Sequence, residues 1–230
     1  MFFKKDGPKP PFHGKLIFVD RLNIIQNATK NGVLKPAGFI NKGRTFNKIV
    51  HNDIVQVLSF WLGKSYRGDN NKLFLKIGIY VPESAQKTFS PIKVKGVIQE
   101  YHCNIRPSVL SLKGLTRYKG FNDYFFDLSK DKADRYVTEI KKIMGTIVFP
   151  MFENLNSRDK IISSRSRYLN ADIFGHLAEL DEAMIWGRKG DLEMARKKMQ
   201  HYYDHSENRS NHLDYVEELA ARMGIPLRTK

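Results

Sequence analysis

The sequence predicts an α+β protein: an N-terminal helix, an antiparallel sheet of about four to five strands with a packed helix, and an all-helical C-terminal extension. Three observations carry that expectation. Short runs rich in β-branched and aromatic residues, several with strict alternation, dominate residues 44–112. The apolar spacing changes to a helical period from about Asp131. Lys and Arg outnumber Asp and Glu by 26 to 11 in residues 1–150, whereas residues 151–230 carry 13 of each. The net charge of +15 therefore belongs entirely to the first two-thirds of the chain.

Residues 1–19 read as a Pro-rich leader, since Pro8, Pro10, Pro11, Gly7 and Gly14 leave little room for regular structure. A helix is expected from Asp20 as N-cap, through Leu22, Ile25, Val33 and Leu34, with Gly38 as its stop. Arg44–Val50 and Ile54–Trp61 read as a hairpin around the turn residues His51-Asn52-Asp53. Leu73–Val81 is the strongest strand, with Leu73, Leu75, Ile77, Ile79 and Val81 on one face. A further strand is expected within Val97–Leu112, and residues 113–131 are aromatic but aperiodic. Tyr136, Ile140, Ile143 and Ile147 mark a helix that Pro150 stops or kinks.

Beyond it, residues 156–170 read as a basic Ser/Arg connector between a basic α+β domain, 20–155, and a helical extension, 171–230. In that extension one helix is expected over Ile173–Trp186, a second capped by Asp191, and a third from Asn211 to Met223. Leu180–Tyr203 has the form of one tetratricopeptide-type hairpin. A single unit does not make a solenoid, which needs about three.

Composition narrows the class further. The lone Cys103 rules out an intrachain disulfide framework and favours a reducing compartment. The N-terminus has no unbroken apolar run of the secretory type, and no segment approaches the ~20 apolar residues of a membrane span. The expectation is a cytoplasmic protein without a membrane association. A basic part beside a neutral part points to an anionic partner, either nucleic acid or an acidic protein.

Leu34-Lys35-Pro36-Ala37-Gly38-Phe39-Ile40-Asn41-Lys42-Gly43-Arg44-Thr45-Phe46 resembles the opening motif of a bacterial domain-of-unknown-function family, number four thousand three hundred and four. Ile54-Val55-Gln56-Val57 and Phe74-Leu75-Lys76-Ile77-Gly78-Ile79-Tyr80 are similar to its next strands. Tyr101-His102-Cys103-Asn104-Ile105-Arg106 stands where the family has a Cys-His-x-Arg-Ile-Arg pattern, with His and Cys transposed. The resemblance covers roughly residues 20–150. It implies the same fold reading and a bacterial or phage source, and it implies no activity.

Candidate chemistry is sparse. There is no Gly-x-Ser-x-Gly elbow, no P-loop and no Gly-x-Gly-x-x-Gly. A strand over 98–107 would present His102, Asn104 and Arg106 on one face. If Lys48 and Lys76 shared that face with Phe46, Phe74 and Tyr80, the sheet would offer rings for bases and cations for phosphates. A helix laid over the same face would instead make those rings core. Arg44, flanked by Gly43, is a further candidate to grip a phosphate or carboxylate through its planar fork, the alternative being a structural Arg that pairs a carboxylate. Glu100, Asp123 and Asp127 are the only carboxylates to suggest a metal-dependent nuclease, and their spacing adds nothing to it. His201 and His205 share a helix face, but Tyr202 occupies the place of the zincin Glu, so the pair reads as a solvated helix end and no metal is expected.

These observations favour a non-enzymatic binding protein without a cofactor, recognising an anionic partner through Arg44, Lys48, Lys76, His102 and Arg106. The second reading is a protein–protein module of the immunity, antitoxin or phage-defence kind. It would dock, or self-associate as a homo-oligomer, through a stripe of Leu177, Leu180, Met184 and Leu192.

Overall fold

The computed structural model describes residues 13–51, 53–63, 71–90, 95–107, 109, 125–130, 132–168, 178–205 and 210–228. Helix α1, His13–Thr29, continues through a π-helical turn, Lys30–Leu34. It starts seven residues before the expected cap, inside the segment read as a leader, and Asp20 is an exposed mid-helix residue. Phe18, Leu22 and Ile25 explain the extension, because their spacing continues the apolar stripe and all three pack into the core. Gly38 ends the run as expected. Its φ of +86° lets Phe39 N donate to Leu34 O at 3.0 Å, which satisfies a terminal carbonyl.

The sheet is antiparallel throughout, in the order β1, Ile40–Lys42; β2, Thr45–Val50; β3, Ile54–Gly63; β4, Lys72–Tyr80; and β5, Phe125–Asp127. The β2–β3 hairpin forms in the expected place, with Val50 opposite Ile54. Leu73, Leu75, Ile77 and Ile79 form one face of β4 and are all buried, together with Phe46, Leu58, Phe60 and Phe126 from neighbouring strands. Helix α1 and the later helices cover this face.

Two short strands, β1 and β5, escaped the sequence analysis because three residues give no readable period. The strand expected within Val97–Leu112 does not form over the described residues. Instead Glu100–His102 is a 3-10 turn, and Ile105 makes a single β-bridge to the sheet, at Ile79. Gln99 N donates to His102 Nδ1 and His102 N to Gln99 O, so local bonds replace the ladder. This segment packs on the second sheet face, where Ile98 and Cys103 meet Val55, Val57 and Tyr80. Asn47 exchanges two bonds with the Ile98 backbone, 2.9 and 2.7 Å.

Short helix α2, Pro82–Gln86, follows β4. Helix α3, Ala133–Ile143, presents Tyr136, Val137, Ile140 and Ile143 to the core and packs on α1. Pro150 does not stop this run. A π-helical turn, Met144–Val148, leads into α4, Phe149–Asn154, and the wider turn accommodates the ring.

The segment read as a connector carries a helix, α5, Arg158–Tyr168, with Ile161 buried in the main core. Helices α6, Ala178–Arg188, α7, Leu192–Asp204, and α8, Ser210–Arg222, close on a second core built around Leu180, Met184, Met199, Val216 and Leu219. Asp191 caps α7 as expected, its Oδ1 accepting from Met194 N at 2.9 Å. Gly224, φ +68°, ends α8 where Ile225 N reaches Ala220 O.

The helical unit is fastened to the sheet domain. Ile185 belongs to the main core. Lys87 Nζ pairs with Asp181 Oδ1 at 2.5 Å, and the Phe89 ring lies where a Cβ on Gly187 would be, 2.1 Å away. Arg158 locks the other end of the junction. Its guanidinium donates to both Glu83 oxygens at 2.8 Å and to both Asp53 oxygens at 2.9–3.0 Å. Glu83 is 1% exposed. Burial alone would lower the Arg158 pKa, but the bonds to Glu83 and Asp53 outweigh it and raise the value.

Replacing Arg158 with Ala strands a buried carboxylate. Urea denaturation is expected to show a loss of about 3–5 kcal/mol. The Glu83→Gln, Arg158→Met double variant should lie closer to the parent. A loss below about 1 kcal/mol, the range of exposed pairs, would mean that the triad does not hold the junction.

Candidate functional site

Register assigns the expected binding residues to different places. Lys48 lies opposite Gln56, and Gln56 lies opposite Ile79, so Lys48 shares the helix-covered face. Its stem runs past Gly38, with Cε 3.8 Å from the position of a Cβ there. Lys76 lies on the other face, opposite Ser59. Arg44 is exposed in the β1–β2 turn, after Gly43 with φ +60°. His102 is exposed on the 3-10 turn, and Arg106 is exposed just past the Ile105 bridge. The single surface expected from strand alternation therefore does not form, because 98–107 is not a strand and Lys48 and Lys76 face opposite ways. Tyr80 is buried under the Ile98–Cys103 cover.

Around Lys76 a different constellation is assembled. Trp61, Phe74 and Phe125 lie in register across β3, β4 and β5. Their ring centroids are 5.5 Å apart for Trp61–Phe74 and 5.8 Å for Phe74–Phe125, within the range of favourable aromatic pairs. Lys76 Nζ lies 5.5 Å from the Phe74 centroid and 5.9 Å from that of Trp61, and Lys72 Nζ lies 4.4 Å from Phe125. Such distances suit cation–π attraction. Gly63 makes the ladder possible, since a Cβ there would meet the Phe74 ring at 2.5 Å. Phe74 and Lys72 are buried and Phe125 is half-buried, whereas Trp61 is 54% exposed. The indole is thus the outer end of a supported stack.

The 3-10 turn is held on this same face. Ser59 Oγ donates to Thr45 Oγ1 at 3.0 Å, and Thr45 Oγ1 donates to Gln99 Oε1 at 2.7 Å. Because His102 Nδ1 accepts from Gln99 N, the neutral ring carries its proton on Nε2. Tyr101, 68% exposed, meets the His102 ring edge-on at 4.3 Å. Lys76 and His102 are therefore on the face of Trp61 and Tyr101. Strand parity already placed Phe74 with Lys76; Trp61 was not singled out, although the same count aligns it with Ser59. The pairing of those two strands, and β5 beside them, was the missing information.

The other candidates separate. Glu100 O lies 3.6 Å from the Cβ position of Gly78, whereas Asp127 pairs with Lys72, six residues along β4. At ~3.4 Å per residue that is about 20 Å, too far to share a metal ion. Asp127 Oδ1 instead accepts from Ser129 N and Oγ, and Asp123 lies outside the described residues. Among the described residues no group of three or more His, Cys, Asp or Glu side chains is placed to hold a metal. No helix among them is long and apolar enough to cross a membrane. Of the expected docking stripe, Leu180 and Met184 are spent inside the helical core, Leu192 is exposed, and Leu177 lies outside the described residues.

Cys103 is buried against Gly78, where a Cβ would come within 2.6 Å of its sulfur. Burial first, and Glu100 second, push its thiol well above the ordinary range. Thiol titration at pH 8 should find Cys103 unreactive in the native protein and reactive in denaturant. Rapid native labelling would mean that the 95–105 cover opens freely.

Neither a curated protein nor a solved structure matches the chain. A family model described as Domain of unknown function (DUF4304) matches residues 31–154, more than half of the chain. The match runs from the π-helical end of α1, through the sheet that carries Trp61 and Lys76, to the last residue of α4, and stops before α5 and the second core. The chain therefore belongs to the Domain of unknown function (DUF4304) family.

Proposed function

We propose that the protein binds single-stranded nucleic acid on the sheet face that carries Trp61. The observation that supports this reading is the half-exposed indole at the end of the Trp61–Phe74–Phe125 stack, with Lys76 within 6 Å of two of its rings. An unpaired base has a π-face that stacks on such a ring whatever its identity, and a neighbouring ammonium attracts the phosphate. Bases in a duplex are already stacked, which is why single strands are favoured. His102 Nε2–H and the Tyr101 ring extend the same face, and Arg106 and Arg44 would act as peripheral phosphate contacts. The excess of 26 basic over 11 acidic residues in residues 1–150 supplies long-range attraction for a polyanion.

Trp61 and Trp186 are the only tryptophans, so intrinsic fluorescence reports directly on stacking. Oligonucleotides titrated at low salt are expected to quench the emission, single strands more than duplexes. Trp61→Ala should weaken binding by about 1–3 kcal/mol without loss of fold. Lys76→Glu should lower affinity and make it less salt-dependent, by roughly one unit of log–log slope. Absence of binding at low salt, or binding indifferent to both substitutions, would remove the proposal. Capture of an acidic protein that depends on Arg44 and Arg106 would then favour a protein partner.

A further inference from the structure

We propose that the cleft on the outer side of α7 binds a phosphate monoester, at a site independent of the sheet face. The cleft has a volume of about 540 Å³, within the size range of small-molecule sites. Arg196 and Lys197 line one wall and Arg228, from the segment after α8, lines the other.

These cations are available to a ligand. Lys198, on the inner side of α7, is spent on Glu182 at 3.0 Å. Arg196, Lys197 and Arg228 are exposed, and among the described residues none of the three forms an ion pair. Glu193 and Asp204 also line the cleft, which sets three cations against two carboxylates. Those carboxylates stand in the first turn and at the last residue of α7, and Asp204 Oδ1 already accepts from Gln200 Nε2 at 3.0 Å. The cations therefore prevail over the middle turns, away from the negative C-terminal end of the helix.

The walls are held before any ligand arrives. Gln200 Nε2 donates to Arg228 O at 3.1 Å, and Arg228 N donates to Gln200 Oε1 at 2.8 Å. Ile225 is buried in the second core and Leu227 packs against it, so Arg228 leaves from a fixed backbone. His201 Nδ1 lies 3.0 Å from Glu179 Oε2, and His205 Nδ1 lies 2.7 Å from His201 O. Both rings are thereby oriented, and they stack with centroids 4.1 Å apart. They make a flat wall for the organic part of the ligand, beside the cations that would hold its phosphate.

The number and kind of cations select the anion. A carboxylate offers two oxygens and one charge. A phosphate monoester offers three terminal oxygens and a charge of about −1.5 to −2 near pH 7. Two guanidinium forks and an ammonium, reaching in from two walls, match the larger set.

The test is NMR titration of the full chain at low salt with phenyl phosphate, beside benzoate as the carboxylate control. Saturable shifts are expected in the amides of Arg196, Lys197, Gln200 and Arg228, with benzoate binding more weakly. Arg196→Ala and Arg228→Ala, each checked for helicity, should weaken phenyl phosphate binding by roughly fivefold or more. Gln200→Ala removes no charge but frees the Arg228 segment, and should weaken binding as well. Absence of saturable shifts at these amides, equal affinity for benzoate, shifts confined to the Trp61 face, or affinity unchanged by the three substitutions would each overturn the assignment.

Discussion

Arg158 is the residue on which the arrangement of layers depends. Its planar fork joins the β2–β3 turn, through Asp53, to α2, through Glu83, and both carboxylates lie at one end of the central hairpin. Only Arg can give two bidentate contacts from one side chain. The guanidinium stands at the first turn of α5, so the same contact fixes where the chain leaves the sheet domain. Around it, Gln56 donates to Phe152 O at 3.1 Å and Ser84 donates to Asp181 O at 3.1 Å. The strand end, the end of the long helical run and the helical unit are thereby joined at one corner.

That corner determines how the sheet is covered. Helices cover one face, over the buried Leu73, Leu75, Ile77 and Ile79. Among the described residues, the other face is covered at the end near Tyr80, by an irregular segment that survives away from a ladder because its polar groups bond to Asn47, Thr45 and Gln99. At the opposite end the same face carries the Trp61 stack. A large ring left half in water by a fold that buries Phe46, Phe60 and Phe152 completely is an informative exposure. Its lysine neighbours convert it from an apolar patch into one with a chemical preference for anions with π-faces.

The two cores divide the charge as well as the packing. The sheet domain is basic and carries the proposed ligand face. The helical unit lies in the part, residues 151–230, that carries 13 basic and 13 acidic residues, and it falls outside the matched family segment. Of the expected apolar stripe, Leu180 and Met184 are consumed internally, where they meet α7 and α8 in the second core.

By itself the sequence determined what depends on local periodicity and on single-residue conformational preference. The buried face of β4, the hairpin at His51, the stop at Gly38 and the Asp191 cap are of this kind, because alternation, turn chemistry and a positive φ act over a few residues. Tertiary structure decided everything that needs two distant segments to meet. Strand parity left Lys48 and Lys76 free to share a face until register set them on opposite sides. Local bonds at Gln99 and His102 turned an expected strand into a cover, which carried His102 away from strand geometry. The partners of Arg158, 75 and 105 residues distant, leave no periodic trace in the chain. The Trp61 stack is legible only once β3, β4 and β5 lie side by side, because a cross-strand contact is made in space between residues whose separation along the sequence carries no signal.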